Sequence, residues 1–402
     1  EAFFELLALK QELTIAQRNL KLWMRPQKVQ IPISLQPGSA IIKAEPLGCV
    51  LIIGPWNYPF SLTLQPLISA LAAGNTAVIK PSEHAPSTSS LIKKLVSQYL
   101  SQNVVQVIEG DGKIAQDLLK DSFDHIFFTG GGEIGKKVMK AAAKHLTPVT
   151  LELGGKSPAI VLDGADIEVT AKRLIWGKSL NAGQTCIAPD YVLVKSNLRS
   201  QLLRAMKKTI QNFYGETPIN SIHLAKIVNQ NHFQRLKNLL IGAINNKQII
   251  FGGEFDEEEK LISPTLIDVC SREDPLMQEE LFGPLMPIIN IPNLDQAINE
   301  IRIRPHPLAL YMFGGSVNDQ QKLLTLTSSG SVCFNDVVMQ AGIPEMPFGG
   351  VGPSGIGRYH GKAGFDTFSN QRSIFQKPFW LDIKFRYPPY KLDISFLKKI
   401  IR

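Results

Sequence analysis

Cysteine and histidine are scarce in this sequence, and neither is clustered. The 402 residues include four cysteines, at positions 49, 186, 270 and 333, and seven histidines. No two cysteines have the C-x-x-C spacing and the histidines do not group with them, which argues against a disulfide framework and a structural zinc site. We therefore expect no bound metal and a reducing, cytoplasmic location, with peripheral membrane association as an alternative.

Long apolar runs and concentrated charge are also lacking. The longest apolar stretches fall far short of the roughly 20 residues of a membrane-spanning helix. Lysine and arginine outnumber aspartate and glutamate by 43 to 35, giving a net charge of +8. Because the basic residues are scattered and do not alternate with aromatics, a nucleic-acid partner is disfavoured. The first residue is Glu1 rather than methionine, and we expect a further N-terminal portion before it.

Short apolar runs that alternate with helical stretches carry the fold prediction. Runs at 49–53, 77–79, 104–108, 126–128 and 149–151 read as buried strands, with helices at 87–99 and 135–144. A second alternation starts with the strand-like run at 158–162. This order predicts an α/β protein with two doubly wound, Rossmann-like sheets. Segment 29–45 and the chain after 365 read as extended strands, and the first 25 residues as an amphipathic helix that packs on the core.

Cys186 and Glu152 lie in unusual glycine-rich segments. Structural cysteines are usually found within apolar helices or strands, whereas Cys186 follows Ala-Gly-Gln-Thr, where the chain can turn and expose the sulfur to a cavity. Thioester chemistry also needs a base that activates water, and Glu152 in Leu-Glu-Leu-Gly-Gly-Lys is the candidate. Partial burial would raise its pKa, and Lys156 is a candidate to tune it. We interpret the other three cysteines as packed thiols.

These two segments resemble the glutamate and cysteine signatures of the aldehyde dehydrogenase superfamily, in which the cysteine also follows the glutamate by 34 residues. The resemblance extends along nearly the whole chain. Further matching segments are GPWNYPF at 54–60, IKPSE at 79–83, EELFGP at 279–284 and PFGGVG at 347–352. Segments 144–150, 188–191 and 358–362 resemble the class 3 branch, which includes fatty-aldehyde enzymes.

The resemblance implies a role for each matching residue. Cys186 would be the nucleophile and Glu152 the general base, while the Asn57 amide and the Cys186 backbone N–H would stabilise an oxyanion. Cofactor contacts would come from Trp56, Lys80, Glu83, Gly130, Gly135, Glu280 and Phe282. Glu83 disfavours a 2′-phosphate, so the expected cofactor is NAD, with NADP as an alternative. Gly132 departs from the family pattern, which more often has a small polar residue there.

The resemblance also implies a domain plan and an activity. Residues 1–153 would form the NAD(P)-binding domain, 154–365 the catalytic domain, and 366–402 a C-terminal bridging strand with an amphipathic tail. The bridging strands would pair subunits into a homodimer, and the tail could touch a membrane or cover a substrate tunnel. The implied reaction is oxidation of a hydrophobic, medium- or long-chain aldehyde to the acid. Two alternatives stay open: a CoA-acylating enzyme, and a non-catalytic binding protein on the same scaffold.

Overall fold

The computed structural model describes residues 2–382 and 386–390. The strands are β1 Gln27–Val29, β2 Ser39–Pro46, β3 Cys49–Ile53, β4 Thr76–Lys80, β5 Val105–Val107, β6 His125–Thr129, β7 Val149–Glu152, β8 Pro158–Val161, β9 Tyr191–Lys195, β10 Ile249–Phe251, β11 Phe255–Asp256, β12 Leu261–Ile262, β13 Thr265–Asp268, β14 Leu285–Ile291, β15 Ala309–Phe313, β16 Ser331–Phe334, β17 Gly355–Ile356 and β18 Ser369–Gln376. The helices are α1 Ala2–Trp23, α2 Ser61–Ala72, α3 Pro86–Tyr99, α4 Gly112–Leu118, α5 Gly132–Ala142, α6 Ile167–Ser179, α7 Arg199–Tyr214, α8 Gln230–Asn245, α9 Leu294–Arg302, α10 Val317–Leu326 and α11 Gly361–Thr367.

The first sheet is six-stranded, in the order β17-β7-β6-β3-β4-β5. Its strands are parallel except for β17, which pairs antiparallel with β7. Val50, Leu51 and Ile52 of the central strand β3 are fully buried, because helices cover both faces of the sheet. The continuous apolar runs that predicted strands in this region therefore mark the interior of a doubly wound sheet.

The second sheet is seven-stranded, in the order β10-β13-β14-β9-β8-β15-β16. Apart from the antiparallel edge strand β10, its strands are parallel. Successive residues of β9 point to opposite faces, so that Leu193 joins one hydrophobic cluster while Val192 and Val194 join the other. Helices lie on both sides of this sheet as well, which confirms the predicted α/β class with parallel, Rossmann-like sheets.

A third, smaller sheet has the antiparallel order β1-β2-β18. Strand β18 pairs with β2 from Ser369↔Pro46 to Gln376↔Ser39, and most of its residues are exposed. This pairing brings segment 29–45 together with the chain after residue 365. Strand β17 and helix α11 precede it and pack with the first sheet and with α2, although they fall within 154–365. The domain boundaries and the bridging role stay predictions, and most of the tail after 382 lies outside the described residues.

Helix α1 confirms the predicted N-terminal helix but is only partly covered. Ala16 and Trp23 are buried against the first sheet's core, whereas Leu6 and Leu13 of the same apolar stripe are exposed. Within 2–382 and 386–390, no helix has both the length and the apolar character needed to cross a membrane.

Candidate active site

The first sheet brings several predicted site residues to one edge. Lys80, Thr129 and Glu152 are the last residues of β4, β6 and β7, and Gly54 follows β3 directly. Because these strands are parallel, their carboxyl ends lie side by side, and this edge is the usual ligand-binding edge of an open α/β sheet. The strand pairing itself therefore positions Lys80 and Glu152.

The loop that carries Cys186 turns through a left-handed stretch of backbone. Asn181 and Ala182 both have φ of 51°, and Gly183 follows with φ of 76°. Glycine is required at the third position, since a Cβ there would lie 2.3 Å from the Gly283 carbonyl oxygen. The cysteine loop is thereby packed directly on the loop that holds Glu280 and Phe282.

Side-chain amides hold this strained loop in place. Gln184 donates from Nε2 to the Asn181 carbonyl at 3.0 Å and to the Lys226 carbonyl at 3.1 Å, while its Oε1 accepts from the Val228 backbone at 2.9 Å. Left-handed non-glycine residues cost on the order of 1–3 kcal/mol each, and such strain persists only where the surroundings enforce it. The Gln184 contacts are part of that enforcement.

Asn57 connects the first sheet to the cysteine loop. Its Nδ2 donates to the Gln184 carbonyl at 3.0 Å, and the Asn181 side chain donates to the Asn57 carbonyl at 2.8 Å. An amide group carries two N–H donors. The contact with Gln184, which is two residues before Cys186, uses one of these donors and fixes the Asn57 side chain beside the cysteine loop. The second donor is available for chemistry.

Cys186 is a free cysteine, and the residue as a whole is partly exposed although its sulfur is buried. Burial of the sulfur, followed by the negative charges of Glu280 and Glu152, raises its pKa to about 12. The backbone N–H groups of Cys186 and Ile187 act in the opposite direction, because they stabilise a thiolate. At neutral pH the resting thiol is therefore protonated, and a nearby base must accept its proton before it can attack.

Glu152 has the properties of such a base. It is 2% exposed, and among the described residues neither of its carboxylate oxygens has a hydrogen-bond partner. Burial raises its pKa well above the ordinary value, and the positive charge of Arg358 only partly opposes this. Its carboxylate lies against Gly349, where a Cβ would approach Oε1 to 3.1 Å. A buried, unpaired carboxyl is costly, and in a cleft it is a typical sign of function.

Lys156 was expected to tune Glu152, and this prediction is wrong. Its ammonium group forms a salt bridge with Asp190 instead. The cation that acts on Glu152 is Arg358, which also donates to the Gly349 carbonyl beside the carboxylate.

The predicted nicotinamide contacts lie close to the cysteine loop. The rings of Trp56 and Phe282 meet edge to face with their centroids 5.4 Å apart. Glu280 packs its carboxylate on the Cα of Gly154, where an added Cβ would lie 2.2 Å from Oε2. Burial and the charge of Asp190 raise the pKa of Glu280 to about 8. The structure thus brings Trp56, Phe282 and Glu280 together with Cys186.

The predicted ribose contacts form an ion pair. Lys80 is buried, and its Nζ lies 2.7 Å from Oε2 of the more exposed Glu83. Burial opposes ionisation of Glu83, but the hydrogen bond and charge of Lys80 outweigh it and lower the pKa of that carboxyl. The pair presents a donor and an acceptor side by side, which is the pattern that vicinal hydroxyls match.

The glycine-rich turn before α5 divides into packing and open positions. A Cβ on Gly130 would meet the Phe128 ring at 2.6 Å, and one on Gly135 would meet Leu153 at 2.9 Å. Gly131 and Gly132 have open space instead, at the start of α5. Gly130 and Gly135 therefore let the helix approach the sheet, and the two glycines between them are the ones that a phosphate could approach.

Comparison with known proteins agrees with this arrangement. A family model described as "Aldehyde dehydrogenase family" matches residues 9–374. The chain belongs to the aldehyde dehydrogenase family. It is 47% identical to aldehyde dehydrogenase family 3 member B1 of Homo sapiens over 94% of this chain and 80% of that protein. It is also 46% identical to a 4,4'-diaponeurosporen-aldehyde dehydrogenase of Staphylococcus aureus over 96% of this chain and 84% of the relative. The predicted class 3 resemblance is confirmed.

Solved structures of aldehyde dehydrogenases share the fold. The substrate-bound state of Staphylococcus aureus AldH matches 98% of this chain and 86% of its own, with a TM-score of 0.93 and 44% identity. Two less similar structures hold cofactors. A Methanocaldococcus jannaschii enzyme complexed with NADP has a TM-score of 0.81 and 26% identity, covering 92% of this chain and 81% of that one. A Mycobacterium tuberculosis enzyme complexed with NAD+ has 0.82 and 25%, covering 92% and 78%. The chain is an aldehyde dehydrogenase that uses a nicotinamide cofactor.

Sequence reasoning missed several residues that shape this aldehyde dehydrogenase's site. No role was predicted for Arg358, although it is the cation that acts on Glu152. No role was predicted for the side chains of Asn181 and Gln184 either, yet Asn181 holds the Asn57 backbone and Gln184 holds the cysteine loop. The only available signal was that their polar side chains occur in an otherwise small and flexible segment.

Proposed function

We propose that this enzyme oxidises a hydrophobic, medium- or long-chain aldehyde to its carboxylic acid through a thiohemiacetal and a thioester on Cys186. The observation that carries the proposal is the proximity of the Cys186 thiol to the buried, unpaired Glu152 carboxyl, whose charge contributes to the raised pKa of the thiol. The base comes from the end of β7 in the first sheet, and the nucleophile comes from a loop that leads into the second.

In the first half-reaction, Glu152 accepts the thiol proton, directly or through water, and the Cys186 sulfur bonds to the aldehyde carbon. Burial raises the pKa of the Glu152 carboxyl, which makes its carboxylate a stronger base toward the thiol. The carbonyl oxygen becomes an oxyanion that accepts from the second Asn57 N–H and from the Cys186 backbone N–H. Donors of this kind typically contribute about 10²–10³-fold to kcat.

The residues present fit a nicotinamide dinucleotide. When bound, this cofactor supplies the hydride acceptor that converts the thiohemiacetal to the thioester. Gly131 and Gly132 at the start of α5 leave room for a pyrophosphate, since their Cα atoms face open space. The Lys80–Glu83 pair would hold ribose hydroxyls, and Trp56, Glu280 and Phe282 would hold the nicotinamide end. The Glu83 carboxylate would repel a 2′-phosphate, so we propose NAD as the preferred cofactor and NADP as the alternative.

Between the two half-reactions, Glu152 releases the thiol proton to solvent. In the second half-reaction, the Glu152 carboxylate takes a proton from water, and the resulting hydroxide attacks the thioester carbon. The C–S bond then breaks, the carboxylic acid leaves, and the Cys186 sulfur recovers a proton. A CoA-acylating enzyme does not need this base, because CoA itself brings a nucleophilic thiol. The buried carboxyl at Glu152 therefore favours hydrolysis over transfer to CoA.

Substrate class and assembly are further parts of the proposal. One relative is named for 4,4'-diaponeurosporen-aldehyde, an apolar aldehyde, which supports a long hydrophobic substrate. We propose a homodimer that forms through the sheet β1-β2-β18, whose strand β18 is largely exposed. Peripheral membrane contact through the tail stays a prediction, because most of that segment lies outside the described residues.

The test is cofactor reduction with aldehydes from short to long chain, in the presence and absence of CoA. We expect NADH to form fastest with the longer aldehydes and a free acid as the product in both conditions. A product that is acyl-CoA whenever CoA is present would favour the acylating alternative. Absence of turnover with every aldehyde, in a folded full-length protein, would favour a binding protein.

A further inference from the structure

The loop at 278–284 has no regular backbone hydrogen bonding of its own, although it carries Glu280 and Phe282. It follows a short 3₁₀ turn at Pro275–Met277 and leads into β14. Leu276, Met277 and Leu281 are each at most 2% exposed, whereas Gln278 and Glu279 between them are exposed, so the segment is anchored in the interior on both sides of an exposed turn. Buried carbonyl and N–H groups need partners, and here the partners must come from other elements.

Lys156 supplies two of them, beside Arg235 and Arg304, which donate to the Leu281 and Met277 carbonyls. Its Nζ donates to the Leu276 carbonyl at 2.8 Å and to the Glu279 carbonyl at 2.9 Å, and its salt bridge with Asp190 occupies the third direction. An ammonium group has three donors, so all three are used. Two of them hold the backbone on either side of the loop's first turn.

Asp190 holds the other end of the same loop. One carboxylate oxygen pairs with Lys156, and the other accepts from the Leu281 N–H at 3.0 Å, one residue from both Glu280 and Phe282. The side chains of Lys156 and Asp190 are 9% and 4% exposed, so water screens this pair very little. Lys156 and Asp190 precede β8 and β9, which are neighbouring parallel strands, and the pair therefore rests on the rigid second sheet.

The loop conformation needs such a restraint. Phe282 has φ of 47°, a left-handed conformation that a bulky side chain adopts only under constraint. The next residue, Gly283, has its carbonyl oxygen packed on Gly183 of the cysteine loop. A shift of segment 278–283 would move Phe282 away from Trp56.

We propose that Lys156 and Asp190 are positioning residues that clamp the loop bearing Glu280 and Phe282, and that they thereby set the affinity for the nicotinamide end of the cofactor. This inference rests on the proposed function for its effect on catalysis, but the clamp itself exists without cofactor. Neither residue needs to touch the substrate or the reacting atoms for this role.

Lys178 provides a matched control. It is a second buried lysine that faces Asp190, with Nζ 3.8 Å from Oδ1. Within the described part of the chain its Nζ makes no hydrogen bond, so it contributes charge but does not hold the loop. Lys156→Met and Lys178→Met each remove one buried cation beside the same carboxylate, and only the first removes contacts to the loop backbone.

The first experiment is hydrogen exchange on the full-length protein without cofactor, followed in the peptide covering 276–283. We expect Lys156→Met to speed exchange there by about tenfold or more, and Lys178→Met to leave it within about twofold of the parent. Equal exchange in the parent and Lys156→Met, or equal acceleration in both lysine variants, would overturn the clamp. Should Lys156→Met not fold, Asp190→Asn replaces it, because the asparagine oxygen can still accept from Leu281 while the charge that holds Lys156 is lost. Asp190→Asn is then expected to speed exchange at 276–279 more than at Leu281, and unchanged exchange at 276–279 would overturn the clamp.

The second experiment separates cofactor positioning from general damage. Hydrolysis of p-nitrophenyl acetate acylates Cys186 and releases p-nitrophenolate without any hydride transfer, so it does not need the nicotinamide. We expect Lys156→Met to raise the KM for NAD by about tenfold, while its kcat for ester hydrolysis stays within about threefold of the parent. Equal losses in both reactions would mean a merely structural role. If the parent performs neither reaction, the proposed function fails, and the exchange comparison still tests the clamp.

Discussion

The two large sheets contribute to the active site in opposite ways. The first sheet supplies residues at the carboxyl ends of its strands, such as Lys80 on β4 and Glu152 on β7. The second sheet supplies Cys186 and Phe282 from loops that lead into the amino ends of β9 and β14. A strand end is fixed by the hydrogen-bonded ladder, whereas a loop must be held by side chains from elsewhere. The proposed general base is therefore positioned by the fold itself, and the proposed nucleophile by added contacts.

The largest effect on activity should come from replacing Cys186, the residue that lies on a loop. Cys186→Ala removes the only group proposed to bond to substrate, and we expect aldehyde oxidation to fall by at least about 10⁴-fold. Steady-state NADH formation measures it, with circular dichroism as the test of folding. Cys270→Ala is the control, because Cys270 is an exposed free cysteine and is not one of the proposed site residues. Retention of more than a few per cent activity in Cys186→Ala would remove the nucleophile assignment.

The strand-end side should show a different kinetic signature. Glu152→Gln keeps the shape of the side chain but cannot take a proton from the Cys186 thiol or from water. Because solvent hydroxide can still ionise the thiol, we expect a slowed burst of about one NADH per site, followed by steady turnover reduced by about 10²–10⁴-fold as the thioester accumulates. Rapid mixing with detection of NADH separates the phases. A burst of unchanged size followed by unchanged turnover would show that another group activates water.

The same variant should change how stability depends on pH. Burial raises the folded-state pKa of Glu152 above its ordinary value of 4.5, so the folded protein binds this proton more tightly than the unfolded chain does. Stability contributed by protonation is thus present below pH 4.5 and is lost as pH rises through the folded-state pKa. Glu152→Gln has no such loss, and its unfolding free energy relative to the parent should increase as pH rises from about 4.5 through the raised folded-state pKa. Denaturant unfolding at several pH values measures this, and parallel curves would contradict it.

Asn57 lies where the two sides meet, and its replacement should have an intermediate effect. Asn57→Ala removes the second amide donor and also the contact to the Gln184 carbonyl. We expect kcat to fall by about 10²–10³-fold with a smaller change in KM for aldehyde. Asn181→Ala is the comparison, since it removes the hydrogen bond to the Asn57 backbone and a longer contact to Gln184 but leaves the Asn57 amide in place. If Asn181→Ala reduces kcat as much as Asn57→Ala, then the loop's shape matters rather than an oxyanion donor.

The same contrast explains what could be predicted from the sequence. Strands β3 and β7 were predicted to within one residue, because a fully buried parallel strand is a continuous apolar run with sharp ends. Glu152 followed from its place at such an end and from its glycine-rich neighbours. Helix α5 begins at Gly132, three residues before its predicted start, because the glycines that suggested a turn are already helical.

The loop side was much less predictable from local patterns. Glu280 was identified only through the family resemblance, and the left-handed conformation of Ala182 has no local signature, since it is neither glycine nor asparagine. The contact between Lys156 and the Leu276 carbonyl joins residues 120 positions apart. Hydrophobic periodicity carries information about one element at a time, and it cannot report which buried lysine will meet which distant carbonyl.

The smallest expected effect concerns Arg358, the cation that acts on the Glu152 carboxylate at the end of β7. Arg358 opposes the burial that raises the pKa of Glu152, so its loss should raise that pKa further. Where deacylation limits turnover, Arg358→Gln should move the rise of kcat with pH to higher pH and leave the plateau at high pH nearly unchanged. Arg358→Lys keeps the charge and should keep the midpoint, although it disturbs the bond to the Gly349 carbonyl equally. The bond to Gly349 also supports the backbone beside Glu152. If Arg358→Gln lowered the plateau of kcat without moving its midpoint, then Arg358 would act through this backbone support and not through the pKa of Glu152.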